Sequence, residues 1–416
     1  MTSATLGAGR ASRGGELQAI SLVSSAHFVS HFQALVLPVL FPFLKARLGI
    51  GFVELGLALT VANVLSVAAQ LPMGILCDRL GSRHMLIAGL LLGGLAFIAL
   101  GISPSYPGLL VTAALFGLAN SVYHPADYAI LSARIAPARV GRAFSIHTFS
   151  GFLGNALTPV AMIGLASLAG LNVALLAAGA LAVTVSLPLM LARGLELEDR
   201  GAAPAARNAP GEAGGKRVSV FTPVIIGLTG FFALLSLSGS GLTNFSVVAL
   251  GGAYGTPLAV ANLALTGYLV AQAFGVLAGG FIADKTGRHA EVAALGYAIN
   301  ALIVLAIGTL GLGAPLLIAA MASAGLLGGL IMPSRDMLVR AAAPAGMIGR
   351  TFGIVTTGFN IGGAVGPMLF GWIMDQGAPH WVFGASVVFM TITAATALIG
   401  DRRAARRRPA IAAAEA

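Results

Sequence analysis

Long apolar runs, broken at near-regular intervals by short polar or glycine- and proline-rich stretches, set the pattern of this chain. A helix rises about 1.5 Å per residue and a bilayer core is roughly 30 Å thick, so about 20 apolar residues make one crossing. No charged side chain lies between Glu16 and Lys45, which predicts a first span over residues 18–44. Residues 55–77 predict a second. The run from 85 to 131 is interrupted by "SPSYPG" at 103–108 and gives spans three and four. Residues 143–192 exceed one crossing and turn at "AGLN", 169–172, giving spans five and six. Residues 193–218 then change character, becoming charged and rich in Ala, Pro and Gly, and read as a solvated linker. Beyond it, 219–283 turn at "GGAYGTP", 292–334 turn at "GLGAP", and "DQGAPH" at 375–380 parts the last two spans. The expected fold is all-α: twelve transmembrane helices as two pseudo-symmetric six-helix bundles around a central cavity. Its expected parts are a tail 1–17, a bundle 18–192, a linker 193–218, a bundle 219–400 and a basic tail 401–416.

The two halves echo one another. "GILCDRLGSRH" (74–84) returns at an offset of 206 as "GFIADKTGRHA" (280–290), which sets Gly74, Asp78, Arg79 and Gly81 opposite Gly280, Asp284, Lys285 and Gly287. At an offset of 208, Gly117, Pro125, Gly141, Arg142, Phe144, Gly154 and Pro159 meet Gly325, Pro333, Gly349, Arg350, Phe352, Gly362 and Pro367. An ordered series of this kind marks an internal repeat, one of the architectures of secondary transporters, with substrate near mid-membrane between the halves.

Composition agrees. Of 416 residues 57% are hydrophobic and 9% charged, with mean hydropathy +0.92, against roughly 25% charged in soluble domains. The net charge of +10 sits in short clusters between apolar runs, not on an amphipathic face with interleaved aromatics, so nucleic-acid binding is not expected. If both termini are cytoplasmic, every Lys and Arg except Lys45 and Arg47 lies on or near that side, as the positive-inside rule demands. The expected location is therefore the inner (cytoplasmic) membrane, multi-pass, with a basic C-terminus able to touch anionic lipid. The polar first sixteen residues and the long run after them do not read as a cleavable signal. Cys77 is the only cysteine, which excludes an internal disulfide and thiolate-rich metal sites.

With six spans on each side of a long linker, and with Gly74, Leu76, Asp78, Arg79, Gly81 and Arg83 matching every fixed position of its Gly-x-Leu-x-Asp-Arg-x-Gly-x-Arg signature, the chain resembles the major facilitator superfamily. "AHFVSHFQALVLPVLFPFL" in span one and "SVYHPADYAILSARIAP" in span four are similar to its fosmidomycin-resistance-like branch, which tends to carry Asp where this chain has His31. Drug antiporters of the superfamily usually place an Arg four residues before a Gly in span four, where Ala113 precedes Gly117 here. They also carry a Gly-Pro signature in span five, where this chain reads "GNALTP". The resemblance implies that Asp78 sits against the start of span eleven with Arg142 as partner, that Asp284 and Arg350 form the pseudo-symmetric set, and that these contacts exist only when the cytoplasmic side is closed. Gly74, Asp78, Arg79, Gly81, Arg83, Arg142, Asp284, Lys285, Gly287 and Arg350 are therefore the expected gating residues.

Ionisable groups inside spans cost at least about 2.5 kcal/mol each, so each invites a function. They are His27, His31, His124, Asp127, His147, Arg335 and Asp336, and the resemblance puts all but His147 on the cavity-lining spans one, four, seven and ten. His27 and His31 share one helical face, and imidazole titrates near physiological pH. They form the expected proton-coupling set with His124 and Asp127. No third ligand at helical spacing accompanies the pair, so no metal is expected, and no cofactor. Asp127 and Arg335 are equivalent across the repeat, and a salt bridge between them would neutralise two costly charges. A free Arg335 would instead favour an organic anion. Gln33, Asn155, Asn244, Tyr268 and Asn360 complete the expected substrate-binding set.

These observations predict a secondary active transporter of a small organic solute, proton-coupled, working as a monomer. Export of a drug or toxic metabolite by proton antiport is the alternative. An intramembrane enzyme or lipid-handling protein is a remote one, because no nucleophile–base constellation is present, and no phosphate-binding Gly-x-x-x-x-Gly-Lys run suggests ATP as the drive.

Overall fold

The computed structural model describes residues 13–136, 139–192, 222–344 and 348–412, with side chains described to 344 in those ranges and over 351–398. The tail to residue 12, the linker and the side chains of Arg350 and of the basic C-terminus lie outside the described residues. Among the described residues twelve helices are long and apolar enough to cross a membrane: Arg13–Val39, Phe52–Leu80, Ser82–Ile102, Tyr106–Arg134, Val140–Ala169 and Leu171–Leu191, then Pro223–Tyr254, Leu258–Lys285, His289–Thr309, Ala314–Ala342, Thr351–Asp375 and His380–Leu398. These are spans one to twelve. No strand occurs among the described residues. The start of span one and the end of span twelve lie on the same face of the helix bundle by this even count, called here the terminal face; the other is the distal face.

The first apolar run is not one helix to residue 44. Span one stops at Val39 and a short helix, Phe41–Leu48, follows. Pro42 has no amide hydrogen for the Pro38 carbonyl and its ring crowds that carbonyl, so the chain breaks at Leu40 (φ −89, ψ 3). The signature stretch is also not a loop. Span two stays helical through Leu80, span three starts at Ser82, and the whole connection is Gly81 at φ +89, which a Cβ would strain. Its counterpart Gly287 has no positive φ and sits in a wider connection between Lys285 and His289. Arg83, expected at the gate, is buried and donates to the Leu189 and Met190 carbonyls at the end of span six, 2.9 and 2.7 Å away. It closes a helix C-terminus, where a cation is favoured.

Pairing inside the two bundles is the same. Spans one and five, two and four, and three and six pack together, as do seven and eleven, eight and ten, and nine and twelve. The glycines of the repeat show why. A Cβ on Gly117 would strike the Ala62 carbonyl of span two, and one on Gly325 would strike the Tyr268 carbonyl of span eight. Both positions let backbones touch, the usual device of membrane helix packing.

The bundles meet through spans two and eleven and spans five and eight. On the distal half the contact is tight: Thr60 donates to the Ala364 carbonyl at 2.7 Å and Asn63 to the Gly363 carbonyl at 2.8 Å. The same stripe of span two continues toward the terminal face as Val67, Leu71, Gly74 and Asp78. There it is unpaired, with Leu71 75% exposed. The buried core follows suit. One apolar cluster joins both bundles, while the terminal half of the first bundle, around Val23, Leu86 and Tyr123, has a core of its own. Between spans five and eight a cleft of about 370 Å³ is lined by Phe144, Phe149, Phe152, Ala273 and Leu277. The molecule is shut at its distal face and open at its terminal face.

Candidate functional site

Span one presents His27 and His31 at i,i+4 toward span five, whose own i,i+4,i+8 stripe is His147, Gly151 and Asn155. The two helices approach closely because Gly151 lacks a side chain: a Cβ there would lie 2.8 Å from the His27 ring and 2.9 Å from the His31 ring. His27 stacks on His147 with ring centroids 3.7 Å apart, and His31 and His124 meet the His27 ring edge-on at 4.6 and 5.3 Å. Asn155 lies 3.1 Å from His31 Nδ1, so its amide donates there and leaves the proton of neutral His31 on Nε2.

Asp127 of span four closes this group. Its Oδ2 is 3.2 Å from His27 Nδ1 and 3.7 Å from His147 Nε2, and all three side chains are almost wholly buried. Neither approach is aligned as a hydrogen bond, and the ring atoms and both carboxylate oxygens are left without partners. Buried polar atoms are nearly always paired, and ionisable groups within a membrane span are a functional-site hypothesis by default. His124 is exposed, which gives the cluster one open side.

Two expectations change here. Asp127 does not pair with Arg335; its partners are His27 and His147, because span five brings its histidine against span one. Arg335 instead bonds Asp336 Oδ1 at 3.0 Å and lies over the rings of Phe232 and Phe359, 5.1 and 4.9 Å from their centroids. It is engaged within its own bundle. His147, set aside because span five was not expected to line the cavity, belongs to the cluster; its signal was the His-x-x-x-Gly-x-x-x-Asn spacing opposite His-x-x-x-His.

The missing third ligand for His27 is supplied by tertiary packing, since the donor atoms of His27, His124 and His147 lie within 4.8 Å of one another. A tetrahedral zinc site with bonds of about 2.0–2.1 Å needs donors roughly 3.3 Å apart, so these three would have to draw together to hold an ion.

About one turn further along span one begins a cavity of about 190 Å³, lined by Gln33, Asn63, Ser66, Asn120 and Asn244 among apolar groups. Gln33 and Asn244 were expected there; Asn120, which donates to Ser66 Oγ at 3.0 Å, was not. Asn244 sits in a π-helical turn, Gly241–Phe245, that interrupts span seven, and such bulges recur at functional sites. Tyr268 is buried with its hydroxyl against Thr243. Asn360 is half-buried in span eleven and outside this cavity. At the terminal face Asp78, Arg79, Arg142, Asp284 and Lys285 are exposed and form no ion pair among the described residues, so the Asp78–Arg142 pair is not made in this open form.

The family model of the Major Facilitator Superfamily matches residues 23–243 and 226–415. Among curated proteins the chain is similar to an uncharacterised transporter of that type, YfnC, from Bacillus subtilis, 25% identical over 139 residues, covering 33% of this chain and 34% of that one. It is also similar to the fosmidomycin resistance protein of Escherichia coli, 27% identical over 277 residues, covering 65% and 66%. These alignments thus span a third and just under two thirds of the relatives. Among solved structures, a bacterial homologue of the human lysosomal transporter Spinster, described as inward-facing and unoccupied, superposes with a TM-score of 0.79 at 16% identity over 94% of this chain and 98% of the other.

Proposed function

Because the chain belongs to the major facilitator superfamily, and so is a membrane transporter and not an enzyme, we propose that it carries a small organic solute across the inner membrane by proton-driven alternating access. The observation that supports this reading most is Asp127, buried against His27 and His147, with the exposed His124 beside them. A proton entering there turns two neutral rings and a carboxylate with unpaired atoms into an imidazolium–carboxylate pair, which draws spans one, four and five together. Losing the proton relaxes them. Interactions that differ between two states in this way are what shift a two-state equilibrium. The solute binds in the neighbouring polar cavity, where Asn120 and Asn244 supply hydrogen bonds without fixed charge, while the Gln33 amide is turned to the Ala178 carbonyl of span six.

The Lys and Arg distribution supports a cytoplasmic terminal face, and on this reading the chain is open inward and works as a monomer, with both bundles supplied by one chain. The engagement of Arg335 by Asp336 and two phenyl rings removes the support that a free guanidinium gave to an organic anion. Proton antiport that exports a drug is the second reading, supported by the similarity to the fosmidomycin resistance protein.

Proteoliposomes with an imposed pH gradient test the proposal. A gradient is expected to drive net solute movement, and its sign separates import from export. Asp127→Asn is expected to keep solute exchange between equal concentrations while losing at least about tenfold of the gradient-driven flux, a barrier change of 1.4 kcal/mol or more. Flux indifferent to the gradient would falsify proton coupling.

A further inference from the structure

Spans two and eleven run antiparallel, and span two enters the membrane from the distal face behind Gly51, which has no side chain to cap the helix. The first amides of a helix need acceptors. Here the acceptor comes from the other bundle: Asp375, the last residue of span eleven, takes the Phe52 amide on Oδ1 at 2.8 Å and the Val53 amide on Oδ2 at 2.7 Å. The carboxylate thus caps a 29-residue helix across more than three hundred residues of sequence. It rests on a close backbone contact, since a Cβ on Gly371 would strike the Phe52 carbonyl. The other charged groups at this spot are Glu54, whose carboxylate also reaches Gly51, and Lys45, which lies over the Phe52 ring at 4.5 Å.

We propose that Asp375 is a latch that holds the distal gate shut by capping span two, and that it alternates with Asp78. The geometry of an antiparallel pair makes the two devices reciprocal. Span eleven carries a carboxylate at its distal end, where span two begins; span two carries Asp78 near its terminal end, where span eleven begins. In this structure the distal cap is made and Asp78 is exposed. Opening the distal gate pulls Phe52 and Val53 away from Asp375, and closing the terminal gate brings the first amides of span eleven to Asp78. One helix terminus is uncapped as the other is capped, so neither state leaves both ends unsatisfied. The latch is independent of how protons or solute are handled.

Spin labels at the exposed Ala46 and Gln376, in a Cys77→Ser background, report the distal gate as a distance distribution in the full-length protein. Asp375→Asn keeps the size of the side chain but replaces one acceptor oxygen by a donor. It is expected to move the population toward the longer, distal-open distance by about five- to thirtyfold, the factor that 1–2 kcal/mol represents. Asp78→Asn is expected to move it the other way, and the double variant to return toward the parent. Glu54→Gln is the control, because that carboxylate is adjacent but does not hold the two amides. An unchanged distribution in both Asp375→Asn and Asp375→Ala overturns the latch, as does a shift of equal size in Glu54→Gln. Loss of the opposing effect of Asp78→Asn overturns the reciprocity.

Discussion

A glycine decides whether the histidine cluster exists. Gly151 stands between His147 and Asn155 on span five, and its missing side chain is the space in which the His27 and His31 rings sit. Gly151→Val would place two methyl groups where those rings lie, a form of overpacking that costs about 1–3 kcal/mol. The expected outcome is normal membrane insertion, a lowered melting temperature and gradient-driven flux near background; full flux would show that His27 and His31 need not pack here. His147→Gln separates packing from proton chemistry, since the amide fills similar space and hydrogen-bonds but holds no proton. Imidazole is a side chain that gains and loses a proton within an accessible pH range, so flux through the parent is expected to change with pH. Through His147→Gln it is expected to respond less steeply, with solute exchange retained. A pH profile identical to the parent would remove His147 from the proton path. Tyr128 of span four, whose ring is 5.7 Å from that of His147 and 5.9 Å from that of His124, is a further titratable neighbour, and Tyr123 and Cys77 also lie within electrostatic reach of Asp127.

At the scale of helices, the duplicated glycines act as packing surfaces. Gly325 sits where span ten meets the Tyr268 backbone of span eight, whereas a Cβ on Gly280, also in the repeat, meets nothing. Gly325→Leu is therefore expected to lower the yield of monodisperse protein and its melting temperature, while Gly280→Ala leaves both unchanged; equal effects would mean that the repeat is not held by these contacts. This layer was legible in the sequence. Span number, the turns after residues 102, 169, 254 and 309, and the two-fold repeat all follow from apolar run length and spacing. The end of span one was not, because apolar content alone does not register that Pro42 stops the helix at Leu40. The partners of Asp127 were not legible either. The repeat pointed to Arg335 at the equivalent position, but pseudo-symmetry relates places and does not bring them into contact. The choice fell to His27 and His147, which span-one and span-five packing sets beside the carboxylate. Nor could one-dimensional spacing find the Asp375 cap, since its two amides belong to residues 52 and 53.

The whole molecule is two bundles joined by one continuous apolar core, from which the terminal half of the first bundle stands apart. Along span two, Thr60 is locked to span eleven while Leu71, three turns on and on the same stripe, is 75% exposed. Single cysteines read this asymmetry directly, because the native Cys77 is buried and can be replaced by serine. In that background Leu71→Cys is expected to react readily with a hydrophilic, membrane-impermeant maleimide applied to the terminal face. Thr60→Cys should react at least about tenfold more slowly, since a state populated at a few per cent limits its exposure. If the bundles rock about the cavity, conditions that open the distal gate, Asp375→Asn among them, must raise the reactivity of Thr60→Cys from the distal side and lower that of Leu71→Cys from the terminal side together. Simultaneous high reactivity at both positions would describe a continuous pore, and a pore cannot couple a solute to a proton gradient.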